Sequence, residues 1–185
     1  MKNRLVIFDC FGVIFDEIAP QLIKKYLPGR YTDSLKDKIF VPADLGQINL
    51  DELFDRMAAE FEADRDDVIA DWNNLIKLNE DIVPIIKKIK ETADVALLSN
   101  APLGFVEKLF TEHCLTPLFD EMVISCNISM AKPDPEIYRY CVSRFNRAYD
   151  EIYMIDDNTA NLAAAESTGL IPIHFTDNSC LSHLT

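Results

Sequence analysis

Leu5-Val6-Ile7-Phe8 is a continuous apolar run stopped by an acid, Asp9. Runs of the same kind return at Val95-Ala96-Leu97-Leu98, Met122-Val123-Ile124, Ile152-Tyr153-Met154-Ile155 and Ile171-Pro172-Ile173. A strand that is apolar on both faces suits a parallel sheet covered by helices on both sides. Segments of helical period separate the later runs: Phe105 to Cys114, Asp134 to Phe145 and Asn158 to Thr168, the last followed by Gly169 where a C′ glycine ends a helix. Alternating strand and helix predicts an α/β fold, a doubly wound (Rossmann-like) parallel sheet.

One interval breaks the alternation. The stretch between Asp9 and Val95 is far longer than one crossover helix needs. It reads as helices throughout. Asn49 and Glu52 form a capping-box pattern opening a helix over Leu50 to Phe61. Asp64 or Asp66 opens the next, running through Trp72 to Leu78, and Pro84 falls in the first turn of a helix from Asp81 to Thr92. The predicted organisation is a core of residues 1–15 and 81–185, with residues 16–80 inserted as a helical cap.

Composition narrows the partners. The 185 residues carry a formal net charge of −13 and are 49% hydrophobic. That apolar fraction supports a core and argues against disorder. So acidic a surface repels phosphate backbones and anionic lipid, which argues against nucleic-acid and membrane partners. The five cysteines are odd in number and scattered, as buried thiols of a reducing cytosol would be. The apolar run after the basic start is too short for a signal peptide, so a cytoplasmic protein is expected.

Ligands of open α/β sheets bind at the carboxyl ends of the strands. Asp9-Cys10-Phe11-Gly12-Val13 follows the first strand, Ser99-Asn100 the second, Lys132-Pro133 the third and Asp156-Asp157 the fourth. Each alone has a plainer explanation: a turn former, a helix cap, a solvated lysine, an acidic pair at a helix N-terminus. All four at strand ends predict one crevice holding a carboxylate, a hydroxyl, an ammonium and an acidic pair.

In this order and spacing the motifs resemble those of the haloacid dehalogenase (HAD) superfamily. The resemblance covers nearly the whole chain and includes Lys132-Pro133-x-Pro135-x-x-Tyr138. Gly46-Gln47-Ile48-Asn49 is similar to a short signature of members with a helical cap. The resemblance implies a hydrolase, in the first place a phosphatase acting on a small phosphorylated metabolite such as a sugar phosphate, through an aspartyl-phosphate. Asp9 is then the nucleophile. Ser99, Asn100 and nearby backbone N–H groups bind phosphoryl oxygens, and Lys132 neutralises Asp9 and transition-state charge. Mg2+ is the implied cofactor, held by Asp9, the backbone carbonyl of Phe11 and Asp157, with Asp156 as a ligand or as an orienter of metal-bound water.

The sequence departs from the family at one place. Most HAD phosphatases carry a second aspartate two residues after the nucleophile as general acid/base, and here that position is Phe11. Asp16 and Glu17, at the mouth of the inserted segment, are the acids available to stand in. Losing a general acid costs about 10²–10⁴-fold, least for acyl, aryl or anomeric phosphates. An aromatic residue there also resembles the 2-haloacid dehalogenases, which need no metal and use a cap arginine; Arg30, Arg56 and Arg65 are the candidates. A non-catalytic metal-binding or partner-binding protein is the third alternative.

Overall fold

The computed structural model describes residues 2–30 and 32–185. Met1, where the sequence-read core opens, and Tyr31, inside the 16–80 segment, lie outside the described residues. In chain order the elements are β1 (Arg4–Phe8), α1 (Ala19–Tyr26), α2 (Asp33–Ile39), α3 (Val41–Asp44), α4 (Leu50–Phe61), α5 (Arg65–Leu75) and α6 (Ile82–Thr92). There follow β2 (Asp94–Ser99), α7 (Phe105–Glu112), β3 (Glu121–Ile124), α8 (Ser125–Ile128), α9 (Pro135–Ser143), β4 (Glu151–Asp156), α10 (Thr159–Ser167) and β5 (Ile171–His174).

The strands form one parallel sheet in the order β3-β2-β1-β4-β5. The chain builds outward from β1 to one edge and then returns to build the other, so the switch point lies beside β1. Strand periodicity divides the core. Val6 and Phe8 face one apolar cluster with Ile82, Ile86 and Ile89 of α6 and Val106 and Phe110 of α7. Leu5 and Ile7 face the other, with Ile137, Tyr138 and Cys141 of α9 and Leu162 and Ala165 of α10. Each fully buried side chain of this size contributes roughly 1.5–3 kcal/mol, and burial on both faces explains why the runs lack polar alternation.

Local chemistry fixes the helices between β1 and β2. The Asn49 side chain accepts from the Glu52 N–H at 2.9 Å and the Glu52 carboxylate accepts from the Asn49 N–H at 3.0 Å, a complete capping box for α4. Asp64, rather than Asp66, caps α5. The predicted extension of α5 to Leu78 is not found. The helix ends at Leu75, because Phe15 pairs with Leu78, the Asp16 N–H donates to the Lys77 carbonyl at 2.9 Å and the Asn79 N–H donates to the Ile14 carbonyl at 2.9 Å. Outgoing and returning chain are stitched side by side, and extended backbone there cannot be helix. Gly46 (φ +70°) packs against α8 so closely that a Cβ would lie 2.5 Å from the Cys126 carbonyl oxygen.

One smaller correction concerns the surface. Cys114 is exposed rather than buried, in a left-handed turn after α7. Among the described residues, no helix is long and apolar enough to cross a membrane.

Candidate active site

Asp9 sits one residue past β1, and its N–H extends the ladder by donating to the Ile155 carbonyl at 2.9 Å. That bond holds its carboxylate at the carboxyl end of the sheet, and the Cys10 N–H donates to Oδ1 at 2.6 Å. Lys132 reaches the same point from the loop before α9. Its Nζ lies 2.7 Å from Asp9 Oδ1 and 2.8 Å from Asp156 Oδ2, with almost none of the side chain exposed. Asn100 fixes the loop: its Nδ2 donates to the Lys132 carbonyl at 2.8 Å and its Oδ1 accepts from the Lys132 N–H at 2.8 Å.

The acidic pair divides in two. Asp156 is fully buried and saturated, accepting from Lys132, from the Asn158 N–H at 2.8 Å and from Asn161 Nδ2 at 3.1 Å to each oxygen. Asp157 turns the other way, into the cavity, and its buried Oδ1 has no hydrogen-bond partner among the described residues. One oxygen each of Asp9, Asp156 and Asp157 lies within 4.8 Å of the others. Gly12 (φ +84°) makes this approach feasible, since a Cβ there would lie 2.4 Å from the Asp157 carboxylate.

The electrostatics are those of a site short of positive charge. Burial pushes the Asp9 carboxyl well above its usual range, even with Lys132 against it. Burial and then the Asp156 charge raise Asp157. Burial opposes the Lys132 ammonium, but Asp9 and Asp156 outweigh it and hold the group above the ordinary lysine range. Three carboxylates against one ammonium, one of them with a buried oxygen that no described residue satisfies, make a donor set that a hard divalent cation fits.

A cavity of about 450 Å³ opens from this cluster. Asp9, Asn100, Lys132 and Asp157 line its floor, with Asn158, Thr159 and Asn161 from the start of α10. Its walls come from both sides of the stitched neck. Phe11 stacks on Phe105 at 5.8 Å between centroids, and Trp72 meets Phe105 at 5.3 Å. Glu17, Lys36 and Asp44 supply charge among these rings.

A family model for haloacid dehalogenase-like hydrolases matches residues 3–169. The chain belongs to that family. This HAD-like hydrolase is 22% identical, over 95% of its length, to the sesquiterpene phosphatase astK of Aspergillus oryzae, 91% of which is covered. It is 23% identical over 91% of its length to a phosphorylated carbohydrates phosphatase of Thermotoga maritima, 83% of which is covered. A HAD family enzyme of Bacteroides thetaiotaomicron, solved in complex with magnesium and inorganic phosphate, shares the fold at TM-score 0.72 and 22% identity, covering 91% of this chain and 92% of that one.

The HAD motifs therefore meet where the sequence predicts, with differences of detail. Asp9, Asn100, Lys132 and Asp157 line the cavity; Ser99 and Asp156 do not. Ser99 is fully buried, its hydroxyl donating to the Asn100 carbonyl at 3.4 Å. Asn158 and Asn161 were not anticipated as part of the cluster. Asn158 reads as a helix cap, and it is one, accepting from Ala160 and Asn161 N–H groups. The only sequence signal for Asn161 is that it follows Asn158 by three, on the same face of the first turn of α10.

Proposed function

We propose that this HAD-like hydrolase is a Mg2+-dependent phosphatase of a small phosphorylated metabolite, working through an aspartyl-phosphate on Asp9. The observation that carries the reading is the buried, unpartnered Oδ1 of Asp157, a residue that lines the same cavity as Asp9, while Lys132 joins Asp9 to Asp156. Asp9, the Phe11 carbonyl and Asp157 would hold the ion, with Asp156 fixing Lys132 and neighbouring water. Bound there, Mg2+ would offset the repulsion between Asp9 and a phosphate dianion and polarise the phosphoryl oxygens.

The protein's own groups do the rest. Asp9 attacks phosphorus in line, and Lys132 balances the charge that builds on the oxygens. Asn100 keeps Lys132 in register. Ser99 supports the end of β2 and contributes through the backbone there rather than through a hydroxyl in the cavity. Residues 16–80 serve as the cap, excluding water over the site. A sugar phosphate suits the walls: aromatic rings would cover the faces of the leaving group, and its hydroxyls would meet Glu17, Lys36 and Asp44. Leaving such groups unpaired under an apolar ligand would cost about 1–3 kcal/mol each. The phosphatases named above act, by their names, on a sesquiterpene and on phosphorylated carbohydrates, and the carbohydrate class fits this cavity better.

A metal-free dehalogenase is disfavoured because no arginine is among the described residues lining the cavity. Arg65, one candidate, is engaged with Asp51 and Asp55 on the surface of α4. The phosphatase reading is tested by trapping. Acetyl phosphate and Mg2+, quenched in acid, are expected to leave one phosphoryl group on the peptide containing Asp9. Modification elsewhere, or none during turnover, overturns the assignment.

A further inference from the structure

We propose that Glu17 carries the proton that position 11 cannot, acting as general acid and then general base in place of the missing aspartate. The proposal rests on the phosphatase reading above. Phe11 has no proton to give, and its ring is committed to Phe105. The titratable side chains among the described residues lining the cavity are Asp9, Glu17, Lys36, Asp44, Lys132 and Asp157. Asp9 is the nucleophile, Lys132 is locked between two carboxylates, and Asp157 faces the cation position. That leaves Glu17, Lys36 and Asp44.

Position separates the two acids among them. The charged groups facing Glu17 are, in order of effect, Asp157 beyond β4, Lys132 from the loop before α9, Lys36 of α2 and Asp156 at the end of β4. The Gly12 N–H donates to the Phe15 carbonyl at 2.7 Å and Phe11 pairs with Phe15, so Glu17 lies two residues beyond backbone that is joined to position 11. Asp44 ends α3, which packs against α8 and has no such link to position 11. Asp16, the other acid next to the neck, is exposed and does not line the cavity.

The backbone under Glu17 is fixed for such work. Its neighbour Asp16 donates its N–H to the Lys77 carbonyl, and Gln21 Nε2 donates to the Glu17 carbonyl at 2.6 Å. The Glu17 carboxylate itself has no hydrogen bond or ion pair among the described residues, so it is free to meet a ligand. Burial, then the Asp157 charge, pushes its pKa up to about 7, a value at which one carboxyl serves as both acid and base near neutrality.

The proton balance closes over two steps. As Asp9 Oδ forms its bond to phosphorus, the bond from phosphorus to the leaving oxygen breaks, and that oxygen takes the Glu17 proton. Water then attacks the same phosphorus while the Glu17 carboxylate takes one of its protons. The Asp9–phosphorus bond breaks, and inorganic phosphate leaves with Asp9 ionised and Glu17 protonated as at the start.

The test compares wild type, Glu17→Gln and Asp16→Asn with Mg2+ on acetyl phosphate, an aryl phosphate and an alkyl phosphate. In Glu17→Gln we expect steady-state turnover to fall by about 10²–10⁴-fold. The aryl phosphate should still give a burst of one phenol per enzyme, with phosphoryl-Asp9 accumulating, and the limb of the pH profile near neutrality should vanish. Asp16→Asn should behave as wild type. Glu17→Ala gives an independent reading: added formate should restore part of its turnover. Glu17→Gln rates and pH profile equal to wild type would overturn the proposal. So would a uniform loss on all three substrates with the pH profile unmoved and no formate rescue, since that marks a structural role. Wild type inert on every substrate, acetyl phosphate included, overturns the phosphatase reading and this proposal together; an active wild type with an indifferent Glu17→Gln overturns this proposal alone.

Discussion

The Lys132 ammonium bridges Asp9 and Asp156, at 2.7 Å and 2.8 Å, where neither carboxylate has much contact with water. Desolvating the pair is expensive, and the bridge is maintained only because both acids are present. Removing the lysine leaves two buried carboxylates facing each other. Lys132→Met is therefore expected to cost about 3–5 kcal/mol without metal, a fall of roughly 6–20 °C in Tm at this chain length. Thermal melts with and without Mg2+ check it, and added Mg2+ should recover part of the loss.

Gly12 faces the Asp157 carboxylate at a distance no side chain can share. Gly12→Ala should displace Asp157 and weaken Mg2+ binding by at least tenfold, while costing about 1–3 kcal/mol for strained backbone. Calorimetric titration with Mg2+ reads the first effect, and denaturant midpoints read the second.

Asn161 donates to both oxygens of Asp156, which in turn holds Lys132. Asn161→Ala should leave the fold intact and lower turnover or Mg2+ affinity about 10–100-fold, as loss of an outer partner does. Steady-state kinetics over a range of Mg2+ concentrations separate the two.

Glu17 and Asp44 are both raised to about 7, chiefly by burial. Between the ordinary carboxylate range and that value the folded protein binds more protons than the unfolded chain. Stability must then fall as pH rises through this window and level off above it. Melts in chelator from about pH 5 to about pH 8 should show the decline, and Glu17→Gln with Asp44→Asn should make it shallower, Asp9 and Asp157 supplying the rest.

The sheet was legible because its strands are buried on both faces, so Leu5 to Phe8 and the runs that follow stand out as uninterrupted apolar segments. The meeting of Asp9, Lys132 and Asp157 was legible for a related reason: each follows a strand or strand-linked loop, and parallel strands end on one side. The roles within pairs were not. Successive residues at a strand end point to opposite sides, which puts Asn100 in the cavity and keeps Ser99 inside, and likewise separates Asp157 from Asp156. Glu17 was legible as an acid at the mouth of the inserted segment, but Lys36 and Asp44 were not, because they join it only through the packing of α2 and α3. Gly46 reads as part of a cap signature, but its reason, the close approach to Cys126, is tertiary.

The most direct test of the account is hydrolysis of acetyl phosphate and a sugar phosphate, with Mg2+ and with chelator, by wild type and Asp9→Asn. Turnover that requires Mg2+ and disappears in Asp9→Asn is the predicted result. Equal turnover in chelator, or an Asp9→Asn protein as active as wild type, would contradict it.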